Sequence, residues 1–398
     1  MSKRIRPVRR SRRYAVMALA AGTVASLAAA PTLPSGAAVD RAGSSAQTVG
    51  AHPDMRAFHQ VNLVSDIKGM AKLTDPDVKN PWGIAFGPDT PLWVANQFNP
   101  DSAVPNPTPQ DLVTEITVYS GANGSGPITK IPLEVKASSP FGIVYNPTDR
   151  FVVERNGASA ASKFLWNEFT VDATGIPIAG ITGWSPDVPP LSRGVIKVRR
   201  PGAVDLGIAL ERTHKGPRLL VANVVAGTID VYDGRFQPVV RQGAFVDPDG
   251  AGLAPYNVAF LHRRVYVAYT SDSGVYAISV FSKRGRFIKR LVTGDPLDDP
   301  WGMAIAPRHW GGVGGDLLVG SVESGRIDAF NRHTGAFEGA LSDRHGDPLV
   351  NPGIWGLQFG NGVIGTRRSL IFAAGIGDEV NDHVYEHGLI GKIRPTHR

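Results

Sequence analysis

The amino-acid sequence predicts an all-β fold, a six-bladed β-propeller whose ring is closed by an N-terminal strand pairing with the last blade. The first observation behind this is composition: 46 Gly and 31 Pro among 398 residues, with only 19% charged, describe a turn-rich β protein and exclude long, charge-laced helices. The second is an internal repeat. A turn, then Gly and alternating apolar residues, recurs from Asn80 (NPWGIAF), Ser139 (SPFGIVY), Asp205 (DLGIAL), Ala254 (APYNVAF), Asp299 (DPWGMAI) and Gly353 (GIWGLQF). The third is spacing: these starts lie 45 to 66 residues apart, the length of one four-stranded blade rather than of a helical repeat.

From the N-terminus, residues 1–13 are cationic, 14–30 apolar and rich in Ala and Gly, and Gly36, Ala37 and Ala38 small, the layout of an export signal over 1–38. Ser11-Arg12-Arg13-Tyr14 resembles a twin-arginine signal. The apolar run falls short of the roughly 20 residues that span a bilayer, and no later stretch qualifies. The mature chain is therefore expected to have no membrane span and to be secreted or extracytoplasmic, in the cell envelope, as a monomer. Residues 39–59 read as a disordered lead-in and 60–394 as a single propeller domain.

Each repeat start is followed by a β-rich run read as a second strand: LWVAN ending at Asn96, FVVER at Arg155, LLVAN at Asn223, VYVAYT at Thr270, LLVGS at Ser321 and LIFAAG at Gly375. Third strands are expected at 116–119, 229–232, 278–281 and 327–330, and fourth strands at 128–133, 195–198, 239–245, 287–292 and 337–341. Only the last unit lacks a fourth strand. Val61-Asn62-Leu63-Val64 is left over to supply it, and that pairing would remove exposed strand edges at the seam.

Charge excludes one function class. The net charge of +7 comes entirely from Lys3, Arg4, Arg6, Arg9, Arg10, Arg12 and Arg13, and the rest of the chain holds 35 basic against 35 acidic residues. A nucleic-acid binder needs a standing cationic excess to displace counterions. With no cysteine there is no disulfide framework, thiol nucleophile or thiolate-bound metal, so stability must come from the core.

Several pieces occur in fixed order: Asn62 to Asp66 (NLVSD), NPWGIAF, ITGWSP from Ile181, GPRLLVAN from Gly216, GTIDVYD from Gly227, SGRIDAFNRHTGAF from Ser324 and GIWGLQFGNG from Gly353. Together they resemble a family of exported, uncharacterised bacterial six-bladed propellers similar to NHL-type propellers. That resemblance implies fold and export; it implies no reaction.

In a propeller, the loops entering first strands and leaving second strands share the face around the channel mouth. Here they carry Asn80 and Asp299 on the entering side and Asn96, Glu154, Asn223 and Glu323 on the leaving side, with Trp82, Trp301 and Trp355 at equivalent repeat positions. Oxygen ligands converging on a channel suit Ca²⁺ or Mg²⁺, and Glu154 with Asn96 and Asn223 is the nearest match to the site of six-bladed lactonases. The tryptophans suit either a ligand-facing lining or packing between blades. Asp378, Glu379, His383 and His387 form the densest group of ligand-type side chains and would suit Zn or Mn. No Gly-x-Ser-x-Gly elbow or phosphate-cradling loop occurs. The leading expectation is a non-enzymatic binding module whose channel-mouth face holds a small molecule, glycan or envelope protein, with no cofactor identified. The alternatives are a metal-dependent hydrolase or lyase of the lactonase-like type and a purely structural envelope component.

Overall fold

The first and fifth repeats open with a short run in which nearly every residue is buried, Pro81–Ala85 and Pro300–Ile305. Runs without a polar face must be covered on both sides, and a propeller's innermost strands meet that condition. The computed structural model describes residues 57–97, 108–377 and 385–396, and it is a six-bladed β-propeller with no helix among the described residues.

Blade one runs Pro81–Ala85, Leu92–Asn96, Val113–Gly121 and Ile128–Lys130, with Val135–Ser138 also paired to its third strand. Blade two runs Pro140–Tyr145, Phe164–Val171, Pro177–Trp184 and Val195–Pro201, and blade three Asp205–Thr213, Gly216–Asn223 and Thr228–Asp233. Blade four is Ala254–Leu261, Arg264–Thr270, Ala277–Phe281 and Phe287–Thr293. Blade five is Pro300–Ile305, Leu317–Ser321, Ile327–Phe330 and Phe337–Ala340. Blade six takes Ile354–Phe359, Leu370–Ile376 and His387–Pro395 from the C-terminal end and Phe58–Ser65 from the N-terminal end. That last strand lies antiparallel to His387–Pro395, with Val61 opposite Lys392 and Val64 opposite Ile390.

Two strand expectations are corrected. The run ending at Arg155 is not a second strand: Val152–Arg155 pairs only with Ala158–Ala161, in a separate hairpin inserted between the first and second strands of blade two. In blade three the segment 239–245 stays irregular, joined to the sheet by a bridge from Tyr232 to Pro238 and by Val239 N–H donating to the Val231 carbonyl. Pro238 cannot donate, and Phe236, Gly243 and Phe245 all have positive φ, so the ladder cannot extend.

Blade-to-blade packing explains the recurring glycine. A Cβ on Gly302 would stand 2.2 Å from the Trp355 carbonyl oxygen, and one on Gly83 2.4 Å from that of Phe141, so neighbouring first strands touch where these glycines lie. Away from the axis, aromatic and branched side chains fill the wedge between sheets, as where Trp93 stacks on Phe164 beside Trp184.

Candidate binding cavity and the closed channel mouth

The residue after each entering turn points to the axis. Trp82, Phe141, Leu206, Tyr256, Trp301 and Trp355, one from each blade, fall in one apolar cluster. Trp82 stacks on Trp355 at 3.6 Å between centroids and meets Phe141 at 4.9 Å, Trp301 at 6.0 Å and Tyr256 at 6.5 Å. Contacts with rings of four other blades are possible only across the channel, so these side chains close this mouth. Trp82, Trp301 and Trp355 are 3%, 5% and 2% exposed.

The entering-loop polar groups hold that plug. Asn80 Oδ1 accepts from both Trp82 Nε1 (3.1 Å) and Trp355 Nε1 (3.2 Å), while its Nδ2 donates to Gln97 Oε1 (2.7 Å), and Gln97 in turn donates to Ser139 Oγ (3.0 Å). Asn80, Ser139 and Asp299 each precede a proline with φ of 40°, 41° and 58°, a region that short polar side chains tolerate. Asp299 accepts from Thr270 Oγ1 at 2.8 Å. Burial, then the neighbouring Asp299, raises the Tyr256 phenol well above its ordinary range.

The leaving-side residues are dispersed rather than convergent. Asn96 Nδ2 donates to the Glu115 carbonyl and Thr117 Oγ1, and Asn223 Nδ2 donates to Asp230 Oδ2 at 3.0 Å, each within its own blade. Arg200 bridges Asp230 to Asp205, whose carboxyl burial pushes up to about 6. Glu323 is exposed. Glu154 is corrected: it lies exposed on the inserted hairpin, near Ser159. The position equivalent to Asn96 in blade two is Glu168, since Pro140 pairs with Glu168 as Pro81 pairs with Asn96 and Asp205 with Asn223. Burial raises its carboxyl, which accepts from Trp166 Nε1 at 3.0 Å. Sequence reading missed Glu168 because the hairpin displaced the expected second strand; the aromatic and β-branched content of FLWNEFTV was the available signal.

Of the metal-type group, Asp378, Glu379 and His383 lie outside the described residues. His387 Nδ1 sits 2.7 Å from Asp66 Oδ2, and Asp66 also takes Lys79 Nζ at 2.7 Å and the Gly388 N–H. Burial opposes ionisation of Asp66, but these bonds together hold its carboxyl below the ordinary value. A different acidic group, Asp77, Glu115 and Glu134, brings its oxygens within 4.8 Å of one another. Each of its carboxylates already has a lysine partner: Lys130 Nζ is 2.5 Å from Asp77 and 3.4 Å from Glu134, and Lys136 pairs with Glu115.

The other end of the channel is open. Behind the plug lies a cavity of about 800 Å³ bordered by the first strands of all six blades and by the loops that follow them. Its wall is mainly backbone and apolar side chain, including Phe86, Tyr145, Leu210, Phe260 and Leu357, with Trp301 at its inner end. Arg212, Arg263, Arg367 and His262, all exposed, stand at its rim. Among the described residues, no carboxylate, Ser, Thr or Lys side chain borders it. Of these residues only Trp301 was singled out by sequence.

The class defined by this architecture is the six-bladed β-propeller. No protein-family model matches the chain. Two uncharacterised proteins of Acanthamoeba polyphaga mimivirus are similar to it: one is 29% identical over 314 residues, covering 74% of this chain and 72% of its own. The other is 27% identical over 350 residues, covering 83% and 84%. The resemblance to a bacterial family is thereby corrected: these relatives are viral and have no assigned activity. Among solved structures, a glucose dehydrogenase is similar at 12% identity and TM-score 0.52, over 84% of this chain and 99% of that one. A GH93 α-L-arabinofuranosidase of Fusarium graminearum is similar at 10% identity and TM-score 0.52, over 84% and 97%. Two different activities on one architecture establish the fold alone.

Proposed function

We propose that this chain is an exported, monomeric binding module that holds a small molecule in the axial cavity without transforming it. The cavity carries the reading: at about 800 Å³ it has the size of small-molecule sites, and all six blades border it. Its lining supports binding over hydrolysis, because among the described residues it offers neither a carboxylate nor a Ser or Thr hydroxyl for acid–base or nucleophilic work. The 1–38 segment supports export. The face with the aromatic plug, expected from sequence to hold the ligand, keeps its rings inside the protein and has no room for one between them.

The test fills the cavity. Leu210→Trp places an indole where Leu210 borders it, and a ligand panel is screened by thermal shift on both proteins. Compounds that raise the wild-type Tm saturably are expected to leave Leu210→Trp unmoved, since a ligand stabilises only the state it binds. Equal shifts in the two proteins would put the binding site elsewhere and sink the reading.

A further inference from the structure

We infer that the cavity selects a small amphipathic anion, with an apolar body inside and an acidic headgroup at Arg212, Arg263 and Arg367. This rests on the cavity reading above and adds the chemical class of its ligand. The first argument is what the wall can no longer bond. Asn257 spends its side chain on the Val258 N–H and the Trp301 carbonyl, and Gln358 Nε2 donates to the Phe86 carbonyl. Asn361 Nδ2 donates to the carbonyls of Gly87 and Thr90, while its Oδ1 accepts from Val363 and Ile364. These bonds tie blade six to blade one and blade four to blade five, so using them for a ligand would loosen the ring. What the side chains in the middle of the wall offer a ligand is therefore apolar contact.

The second argument is the rim. Three guanidinium groups surround the opening, and among the described residues no acid borders the cavity to neutralise them. Among the described residues, no carboxylate lies within ion-pair distance of Arg212, Arg263 or Arg367. Guanidinium forks match planar or tetrahedral oxyanions, and a cleft lined by one sign of charge with low-dielectric walls concentrates the opposite ion. His262 adds no competing negative charge; its Nδ1 lies 2.7 Å from Arg332 Nη1.

The experiment compares two fluorescent probes with similar aromatic bodies, anilinonaphthalene sulfonate and uncharged phenylnaphthylamine, titrated into the whole folded chain, Leu210→Trp and the triple variant Arg212→Gln/Arg263→Gln/Arg367→Gln. The three arginines are exposed, so the triple variant is expected to keep the wild-type melt. The sulfonate is expected to bind at one saturable site roughly tenfold tighter than the neutral probe, because solvated ion pairs are individually weak and three act together. The triple variant, and high salt, should erase that preference while leaving the neutral probe unaffected. Equal affinities in the wild type, or a preference surviving in the triple variant, would overturn the anion inference and leave the cavity reading standing. Failure of both probes to bind saturably, or unchanged binding to Leu210→Trp, would overturn the cavity reading itself.

Discussion

Asn80 is the most informative single substitution, because one side chain joins the first blade to the last at the axis. Replacing it with Ala leaves Trp82 Nε1 and Trp355 Nε1, both buried, without their shared acceptor, and removes the donor to Gln97. Each buried donor left unpaired costs about 1–3 kcal/mol. Ala at a φ of 40° adds about 1 kcal/mol of strain that Asn tolerates better. The expected loss is therefore about 5 kcal/mol, read as a lower urea midpoint at unchanged m. Asn80→Gly removes the same bonds without the strain and should be milder than Ala by about 1 kcal/mol. Tryptophan fluorescence is the natural probe, since both indoles change environment. An Ala variant within about 1 kcal/mol of wild type, or a Gly variant worse than Ala, would refute the view that Asn80 is a structural clasp. A ligand-binding Asn80 would instead lose affinity at undiminished stability.

Gly302→Ala should cost about 1–3 kcal/mol or more, because its Cβ meets the Trp355 carbonyl at 2.2 Å and the two strands must part; a wild-type melt would show that the blades can yield. Burial holds the Asp328 carboxyl up at about 7 against 3.8 ordinarily, and among the described residues neither oxygen has a hydrogen-bond partner. The native state thus binds this proton more tightly than the unfolded chain. Its stabilising effect is complete below about pH 4 and is lost as pH rises through about 7. Asp328→Asn should flatten that decline in urea midpoints measured across the range, and parallel profiles would contradict the burial argument. Calcium addition or chelation is expected to leave Tm unchanged, because Lys130 and Lys136 already occupy the space between Asp77, Glu134 and Glu115 and each carboxylate has a lysine partner; a calcium-dependent rise abolished by Glu115→Gln would refute this.

The ring was legible because its geometry imposes one constraint six times. Wherever first strands touch, a Cβ is excluded at all but one position, and the preceding residue must point to the axis, so glycine after a large apolar residue recurs at blade spacing. The exception, Asn257, sits where its side chain can bond the Trp301 carbonyl across the blade boundary. The strand at the N-terminal end was legible by elimination, since one blade lacked an edge. Blade two was misread because FVVER has the β-rich composition of a sheet strand, and composition does not say which partner a strand pairs with. That error moved the candidate acid from Glu168 to Glu154, from a buried position to an exposed hairpin.

The cavity was not legible, and the reason is electrostatic as well as topological. A chain body with equal numbers of acids and bases reads as neutral, yet its loops are unevenly charged: the connections from first to second strands carry Asp89, Asp149, Glu154 and Asp316 but a larger number of Arg and Lys. Connections from second to third strands carry Asp172 and Asp272, and Asp298 and Asp299 stand on the same face just before a first strand. Arg212, Arg263 and Arg367 fall at the far ends of first strands or just beyond them, and Arg264, Arg308 and Arg368 lie on or beside the same connections. Each is an ordinary surface residue in its own loop, and no local pattern marks it. Only the six-fold closure brings three of them to one opening above an apolar wall. The potential at that opening depends on their convergence and on the low-dielectric walls rather than on net charge, so neutrality of the whole chain and a cationic site are compatible.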